Sequence, residues 1–244
     1  MKQGIFEITE NIPLTETVYR MTLQGDVSAV TAPGQFVNVL VPGLYLRRPI
    51  SVCDRSDGAV TLLYKTVGRG TEQMARMAPG EQLDVLTGLG NGYDLSVSGD
   101  RPLLLGGGVG VPPLYWLAKA LIDQGRQVTA VLGFNTRSEI FYEREFRALG
   151  THVTVATADG SYGVKGFVTD ALPKGYTHVY ACGPLPMLKA VHRTTDTDGQ
   201  YSLEERMGCG FGACMGCSIQ TAKGPQRICK EGPVFRKEDL LWAD

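Results

Sequence analysis

Four of the chain's six cysteines, Cys209, Cys214, Cys217 and Cys229, crowd into the last 36 residues with the spacing C-x4-C-x2-C-x11-C. The first three spacings match the plant-type [2Fe–2S] arrangement, in which a more distant thiolate completes the set. A loop must curl around a small cluster so that its sulfurs point inward. Gly208, Gly210, Gly212 and Gly216 permit positive φ there and bring amide N–H groups near the sulfur atoms, where they stabilise added negative charge. The competing chemistry is structural zinc. Zinc is usually held by two short C-x2-C pairs or by Cys/His pairs, and this segment has one short pair and no histidine. A cluster of this kind offers no vacant Lewis-acid position, so its natural work is electron transfer.

A second group of residues could seat a dinucleotide. Leu103-Leu104-Leu105 reads as a buried strand, followed by Gly106-Gly107-Gly108-Val109-Gly110 and then Pro112-Pro113 in the first turn of an apolar helix. A glycine turn opening a helix puts N–H groups where a pyrophosphate can accept from them, so Gly107, Gly108 and Gly110 are candidate contacts. Cys182-Gly183-Pro184 follows another strand, where Cys182 suits either a reactive position or a small buried hydrophobe. Gly133-Phe134-Asn135-Thr136-Arg137 follows a third strand; Arg137 can pair a phosphate or remain a solvated charge.

A third group lies nearer the N-terminus. Arg47-Arg48-Pro49-Ile50-Ser51 follows a strand, Leu63-Tyr64-Lys65 ends one, and Gly70-Thr71 opens a short helix. A flavin dinucleotide needs a fixed cation at its pyrophosphate and hydrogen bonds at its ring, and a β-bulge carrying a surface arginine would give the first segment equally well. The three histidines, His152, His178 and His192, have no partners at ligand spacing and read as structural or surface residues.

These residues need a scaffold. Residues 1–98 read as short strands (Ile5–Ile8, Val18–Leu23, Phe36–Val41 and Val60–Lys65) with turn punctuation, plus one helix near 70–77, which suggests an antiparallel barrel or sandwich. From 99 to 200, strand candidates Leu103–Leu105, Val128–Phe134, Val153–Ala156 and Val179–Ala181 alternate with helical stretches at 112–123, 138–148 and 166–172. That alternation implies a parallel sheet. Beyond about residue 201 the periodicity disappears, and 201–244 is expected to be a small cysteine-built domain. A net charge of −1 supplies no basic field for nucleic acid, and no apolar run approaches the ~18 residues of a membrane span. The N-terminus lacks a signal-peptide core, so the expected location is the cytoplasm.

Taken in order, these segments resemble the ferredoxin reductase superfamily, whose barrel carries an Arg-x-Tyr-Ser/Thr motif and whose nicotinamide domain carries G-G-x-G-x-x-P and Cys-Gly-Pro turns. Arg48 and Ser51 match, whereas Ile50 stands where Tyr is usual. With the tail included, and with Glu204–Cys214 and Arg227–Phe235 as its most specific stretches, the whole chain is similar to the electron-transfer subunits of NAD-dependent dihydroorotate dehydrogenases. The resemblance implies an α/β protein with an all-β N-terminal domain: a barrel for FAD, a Rossmann-like parallel sheet for NAD+, and a C-terminal [2Fe–2S] domain. It also implies that Cys182 lies close to the nicotinamide, and that the partner is an FMN-containing catalytic subunit in a heterotetramer of two chains of each kind. Small subunits of NADH-dependent ferredoxin:NADP reductases or sulfide dehydrogenases share the same three modules and are the alternative.

Overall fold

Alternation of apolar and polar residues along β1 (Lys2–Pro13) sends Phe6 and Ile8 inward and Glu7 outward. Alternation recurs in part of β2 (Val18–Gln24), β5 (Ala59–Lys65) and β6 (Gln82–Leu89), whereas β3 (Phe36–Leu40) is buried at four successive positions and β4 (Arg48–Ser56) only at Val52 and Cys53. These strands close an antiparallel barrel in the order β1-β2-β5-β4-β3-β6 around Met21, Leu23, Val39, Leu62 and Val85. The short helix α1 (Arg69–Ala75) plugs one end with Met74. Asn11 holds its end, donating to the carbonyls of Met74 and Met77 at 2.8 Å each, while the Tyr64 hydroxyl donates to Asn11 Oδ1 at 2.9 Å.

The computed structural model describes residues 1–242, and beyond the barrel it builds a seven-stranded sheet in the order β10-β9-β8-β7-β11-β12-β15. Its first strand, β7 (Pro102–Gly107), is buried at every position, as a parallel strand covered on both faces must be. Chain order then gives α2 (Pro112–Asp123), β8 (Thr129–Phe134), α3 (Glu143–Ala148), β9 (His152–Thr157), β10 (Val164–Lys165), β11 (His178–Cys182), α4 (Leu185–Thr194) and β12 (Gly199–Ser202). A two-stranded hairpin of β13 (Ser218–Thr221) and β14 (Gly224–Arg227) carries the cysteine-rich lobe. The strand β15 (Val234–Arg236) returns antiparallel to β12. Among the described residues no helix is long and apolar enough to cross a membrane.

Several sequence expectations are corrected. Arg48–Ser51 lies inside β4 and not in a connection after a strand, and β6 was not among the expected strands. The helix expected over 138–148 is split by Tyr142, which sits at φ 64 between a 3-10 turn at Arg137–Glu139 and α3. The one expected at 166–172 shrinks to a 3-10 turn at Val168–Ala171, because Gly166 at φ 125 precedes it and Pro173 follows. The tail contains regular strands of three or four residues, too short for a periodicity reading.

Side chains at the junctions fix how the parts sit. Asn91, just past β6, donates to the carbonyls of Glu231 (3.0 Å) and Val234 (2.7 Å) and accepts from Val234 N (3.0 Å). Gln200 accepts from Asp94 N and donates to Asp94 O, both at 2.8 Å, and the Tyr180 hydroxyl donates to the same carbonyl. On the other side of the interface, Lys119 of α2 pairs with Asp54 of β4 at 2.7 Å. The Tyr142 hydroxyl reaches Cys53 and Arg20 on the barrel.

Removing the Asn91 amide leaves part-buried carbonyls and an amide without partners, so Asn91→Ala should cost about 2–3 kcal/mol. The denaturation midpoint in urea should fall at unchanged slope. His178 gives a pH prediction. Gln200 turns its NH2 toward His178 Nε2 (3.4 Å), and an NH2 only donates, so the ring there is the neutral acceptor. Burial lowers the His178 pKa against the pull of Asp198 and Asp94. A folded pKa below the unfolded value of ~6.5 means that this stabilisation is complete above that pH and lost as pH falls beneath it. Melting temperatures measured from pH 7 down to 5.5 should decline, and His178→Gln should flatten the decline.

Candidate functional site

A cleft of about 600 Å³ opens where the barrel, the sheet and the approach to the cysteine lobe meet. Pro49, Ser51 and Lys65 line it from the barrel; Gly107, Gly108, Gly110 and Cys182 line it from the sheet; and Ser202–Glu205 and Met207 close one end. In the sheet, β7 leads to β8 on one flank, and β11 lies on its other flank. The glycine turn after β7 and the Cys182-Gly183-Pro184 turn after β11 therefore share the topological switch point, where open parallel sheets bind ligands. Gly110 has to be glycine, since a Cβ there would stand 2.2 Å from the Cys182 carbonyl oxygen. The contact welds the two turns together. Burial pushes the Cys182 thiol up to about 12, with Ser202 lowering it and Glu204 raising it in smaller measure. A thiol raised in this way stays protonated near neutral pH.

The barrel wall is opened by a splay between strands. β5 pairs with β2 as far as Lys65, whereas β4 pairs with β5 only from Val52 to Ser56 and its start, Arg48 to Ser51, pairs with β3. The main chain of Leu63, Tyr64 and Lys65 therefore turns an edge toward the gap. The side chains of Leu63 and Tyr64 do not reach it: both are buried, Leu63 in the core shared with the sheet and Tyr64 within the barrel. Any part these two play is through their backbone. Ile50 turns to the barrel core, so it does not line the cleft beside Pro49 and Ser51.

Arg48 and Gly70 also lie outside the main cleft but meet each other. The Arg48 guanidinium donates to the Leu46 carbonyl and lies against α1, where a Cβ on Gly70 would come within 2.0 Å of Nε. Thr71 spends its hydroxyl on the local turn, accepting from Val67 N (2.9 Å) and donating to Gly68 O (3.1 Å). Arg47 is structural, paired with Asp84 at 3.0 Å. Arg137 stacks over Tyr162, 5.7 Å from the ring centre, while Gly133, Phe134 and Asn135 line the cleft as their strand end suggested.

The cysteine loop comes as two thiol pairs. Cys209 and Cys214 are within hydrogen-bonding reach of each other, as are Cys229 and Cys217. Burial raises the Cys209 thiol, but amide N–H groups of Phe211, Cys214 and Ala213 outweigh it and bring it down to about 6. Two of these donors, Ala213 N and Cys214 N, stand 3.2 and 3.4 Å from Sγ. Burial first, then Cys217, pushes Cys229 up to about 12. A two-iron cluster takes two thiolates on each iron. Four thiols in two pairs, with backbone donors around Cys209, are the donor set that a [2Fe–2S] cluster takes.

Residues that sequence reasoning missed hold this loop. Asn38 Nδ2 donates to Cys209 O at 3.0 Å, and Asn38 pairs with Pro49 across β3 and β4, so the loop rests on the barrel's cleft wall. Arg227 is locked to Glu231 and donates to the Gly212 carbonyl. Its guanidinium holds the Glu231 carboxyl down to about 2. Arg227 stands two residues before Cys229, a signal the spacing of cysteines alone does not carry.

Comparison with known proteins agrees with this arrangement. Residues 204–241 match the family model described as the iron-sulfur cluster binding domain of dihydroorotate dehydrogenase B, and residues 104–193 match the oxidoreductase NAD-binding domain. The chain is 44% identical over 99% of its length to the "Dihydroorotate dehydrogenase B (NAD(+)), electron transfer subunit" of Geobacillus sp. (strain WCH70), covering 99% of that protein. The protein of the same name from Fusobacterium nucleatum subsp. nucleatum is 43% identical, with 96% of each chain covered. Among solved structures, an NADH-dependent reduced ferredoxin-NADP oxidoreductase is similar with a TM-score of 0.88 and 31% identity, over 98% of this chain and 90% of that one. The flavohem-like FAD/NAD binding domain of a nitric oxide dioxygenase from Vibrio cholerae shares the fold at TM-score 0.69 and 21% identity, over 79% and 92% of the two chains.

The site separates two losses. Arg48→Ala should weaken FAD retention roughly tenfold to a hundredfold, and Gly70→Ala, which keeps the charge but displaces it, should act in the same direction. Cys214→Ser should lose iron and sulfide while keeping flavin. Full iron content in Cys214→Ser, or unchanged flavin occupancy in both other variants, would contradict these assignments in turn.

Proposed function

From the premise that the chain belongs to the family of dihydroorotate dehydrogenase B (NAD(+)) electron transfer subunits, we propose that it passes electrons from a catalytic partner chain through a [2Fe–2S] cluster and FAD to NAD+. The partner's flavin is FMN, the complex holds two chains of each kind, and it works in the cytoplasm on the oxidation of dihydroorotate for pyrimidine synthesis. When bound, FAD mediates between a one-electron cluster and the hydride chemistry of nicotinamide.

Residues 1–98, 99–200 and 201–244 divide this work. Cys209, Cys214, Cys217 and Cys229 hold the cluster, and the amides around Cys209 favour its negative charge. Arg48, with Gly70 and Thr71 beneath it, takes the FAD pyrophosphate. Pro49, Ser51 and the main chain of Leu63–Lys65 receive the flavin ring, with Ile50 supporting from the barrel core. Gly107, Gly108 and Gly110 admit the nicotinamide dinucleotide close to the backbone, and neutral Cys182 packs against its ring while excluding water.

The observation that carries this reading is Asn38, a single side chain that joins the loop of Cys209 to the strand facing Pro49. It gives electrons a short path from cluster to cleft. Phe211 and Met215, 45% and 52% exposed on the same loop, leave that loop open to a partner surface. The alternative, the small subunit of an NADH-dependent ferredoxin:NADP reductase or a sulfide dehydrogenase, draws support from the likeness at 31% identity, which is weaker than the 44% of the dehydrogenase relatives.

Anaerobic co-purification with the FMN-type dihydroorotate dehydrogenase of the same genome tests the proposal. NADH should form from dihydroorotate and NAD+ only when both chains are present. Chains that ignore each other, with FAD and iron still bound to this one, would redirect the assignment to another large redox subunit.

A further inference from the structure

A second concavity, about 450 Å³, lies among the strand beginnings of the parallel sheet, which is the end opposite the cofactor cleft. Four cationic or proton-carrying side chains from four separate segments line it: Arg101 before β7, Arg126 before β8, His152 at the start of β9 and Lys174 before β11. Among the described residues no aspartate or glutamate lines it. Arg126 is paired through Nη1 with Asp100 at 2.8 Å, but that carboxylate is 89% exposed. Arg126 Nε is buried without a hydrogen-bond partner. A buried donor left so is costly unless something accepts from it.

Two helices end nearby, and their terminal carbonyls would be the ordinary reason for cations here. Backbone donors already serve them. Gly125 N and Arg126 N donate to Ile122 O and Leu121 O at the end of α2, and Gly150 N and Thr151 N donate to Arg147 O and Phe146 O at the end of α3. The floor is rigid as well, because Thr177 exchanges bonds with Arg101 through both backbone and hydroxyl. Arg101 lies against Gly175, where a Cβ would approach Nη1 to 3.3 Å. Half-buried Tyr176 and Ile122 add apolar wall.

We propose that this concavity binds a nucleotide-sized phosphomonoester, with Arg101, Arg126 and Lys174 on its phosphate and Tyr176 beside its ring. Planar guanidinium forks match phosphate oxygens, and lysine adds a point charge. The volume lies within the range of small-molecule sites.

Titration calorimetry of the flavin- and cluster-loaded chain, run at low ionic strength with saturating NAD+ to fill the cofactor cleft, tests this. The probes are AMP, adenosine and inorganic phosphate. AMP should bind, inorganic phosphate should compete with it, and added salt should weaken both. The exposed double variant Arg101→Ala/Lys174→Ala should bind AMP about tenfold or more weakly while retaining its flavin and its melting temperature. Adenosine binding as well as AMP, AMP affinity unchanged in the double variant, or AMP binding abolished by NAD+ would each overturn the proposal.

Discussion

The three parts of this chain meet at one amide side chain. Asn91 is the second residue after the barrel closes, and its bonds go to the segment that leaves the cysteine loop and enters the last strand of the sheet. Barrel, sheet and loop thus have a common point of reference. A side-chain amide suits such a place because it both donates and accepts, and can therefore satisfy a passing backbone in two directions. Tyr93 and Asp94 extend the junction, with Tyr93 packed edge-on against Tyr180 and Asp94 clasped by Gln200. A relay between separate carriers depends on fixed separations. The linker that sets them is built as a half-buried, hydrogen-bonded joint around buried Tyr93 and not as a flexible tether.

Electrostatics follow the same economy. Around Cys209 the loop turns its amides inward, so negative charge meets dipoles that were already oriented. Burial instead raises the pKa of the Cys182 thiol, on the sheet side of the cleft. The two cysteines differ in surroundings: one is ringed by backbone donors and the other is enclosed without them. The interface opposite the cleft is fastened separately, by Lys119 with Asp54 and by Tyr142 in a left-handed backbone conformation that a tyrosine adopts only when its surroundings demand it.

Much of this was legible in the sequence. Cysteine spacing is covalently constrained and needs no tertiary context, and a glycine turn between a buried strand and a proline-started helix is a local signature. What escaped was non-local. Leu63 and Tyr64 stand out in the sequence as the end of a strand, but only strand register shows that β4 has left β5 beside them, and only the fold shows that their side chains fill two cores. Asn38 looks like an interruption in an apolar strand until the loop it supports, 171 positions away, is seen beside it. Tyr142 broke an expected helix for a tertiary reason, its hydroxyl being drawn to the barrel. Helical periodicity cannot report such a pull.

The pairing of Ser202 with Val234 in the two last strands of the sheet brings the beginning and end of the cysteine segment to neighbouring positions. Everything between them is an excursion that leaves the sheet and comes back to where it left. The entropy of closing that excursion is met by strand pairing, and it grows only slowly with length. The excursion is nevertheless not loose, because Leu203, Cys217, Ile228 and Cys229 pack in one core with Leu103, Leu105 and Val179 of the sheet. A segment anchored in this way at both of its ends carries its four thiols as one body with the cleft that its first residues help to line.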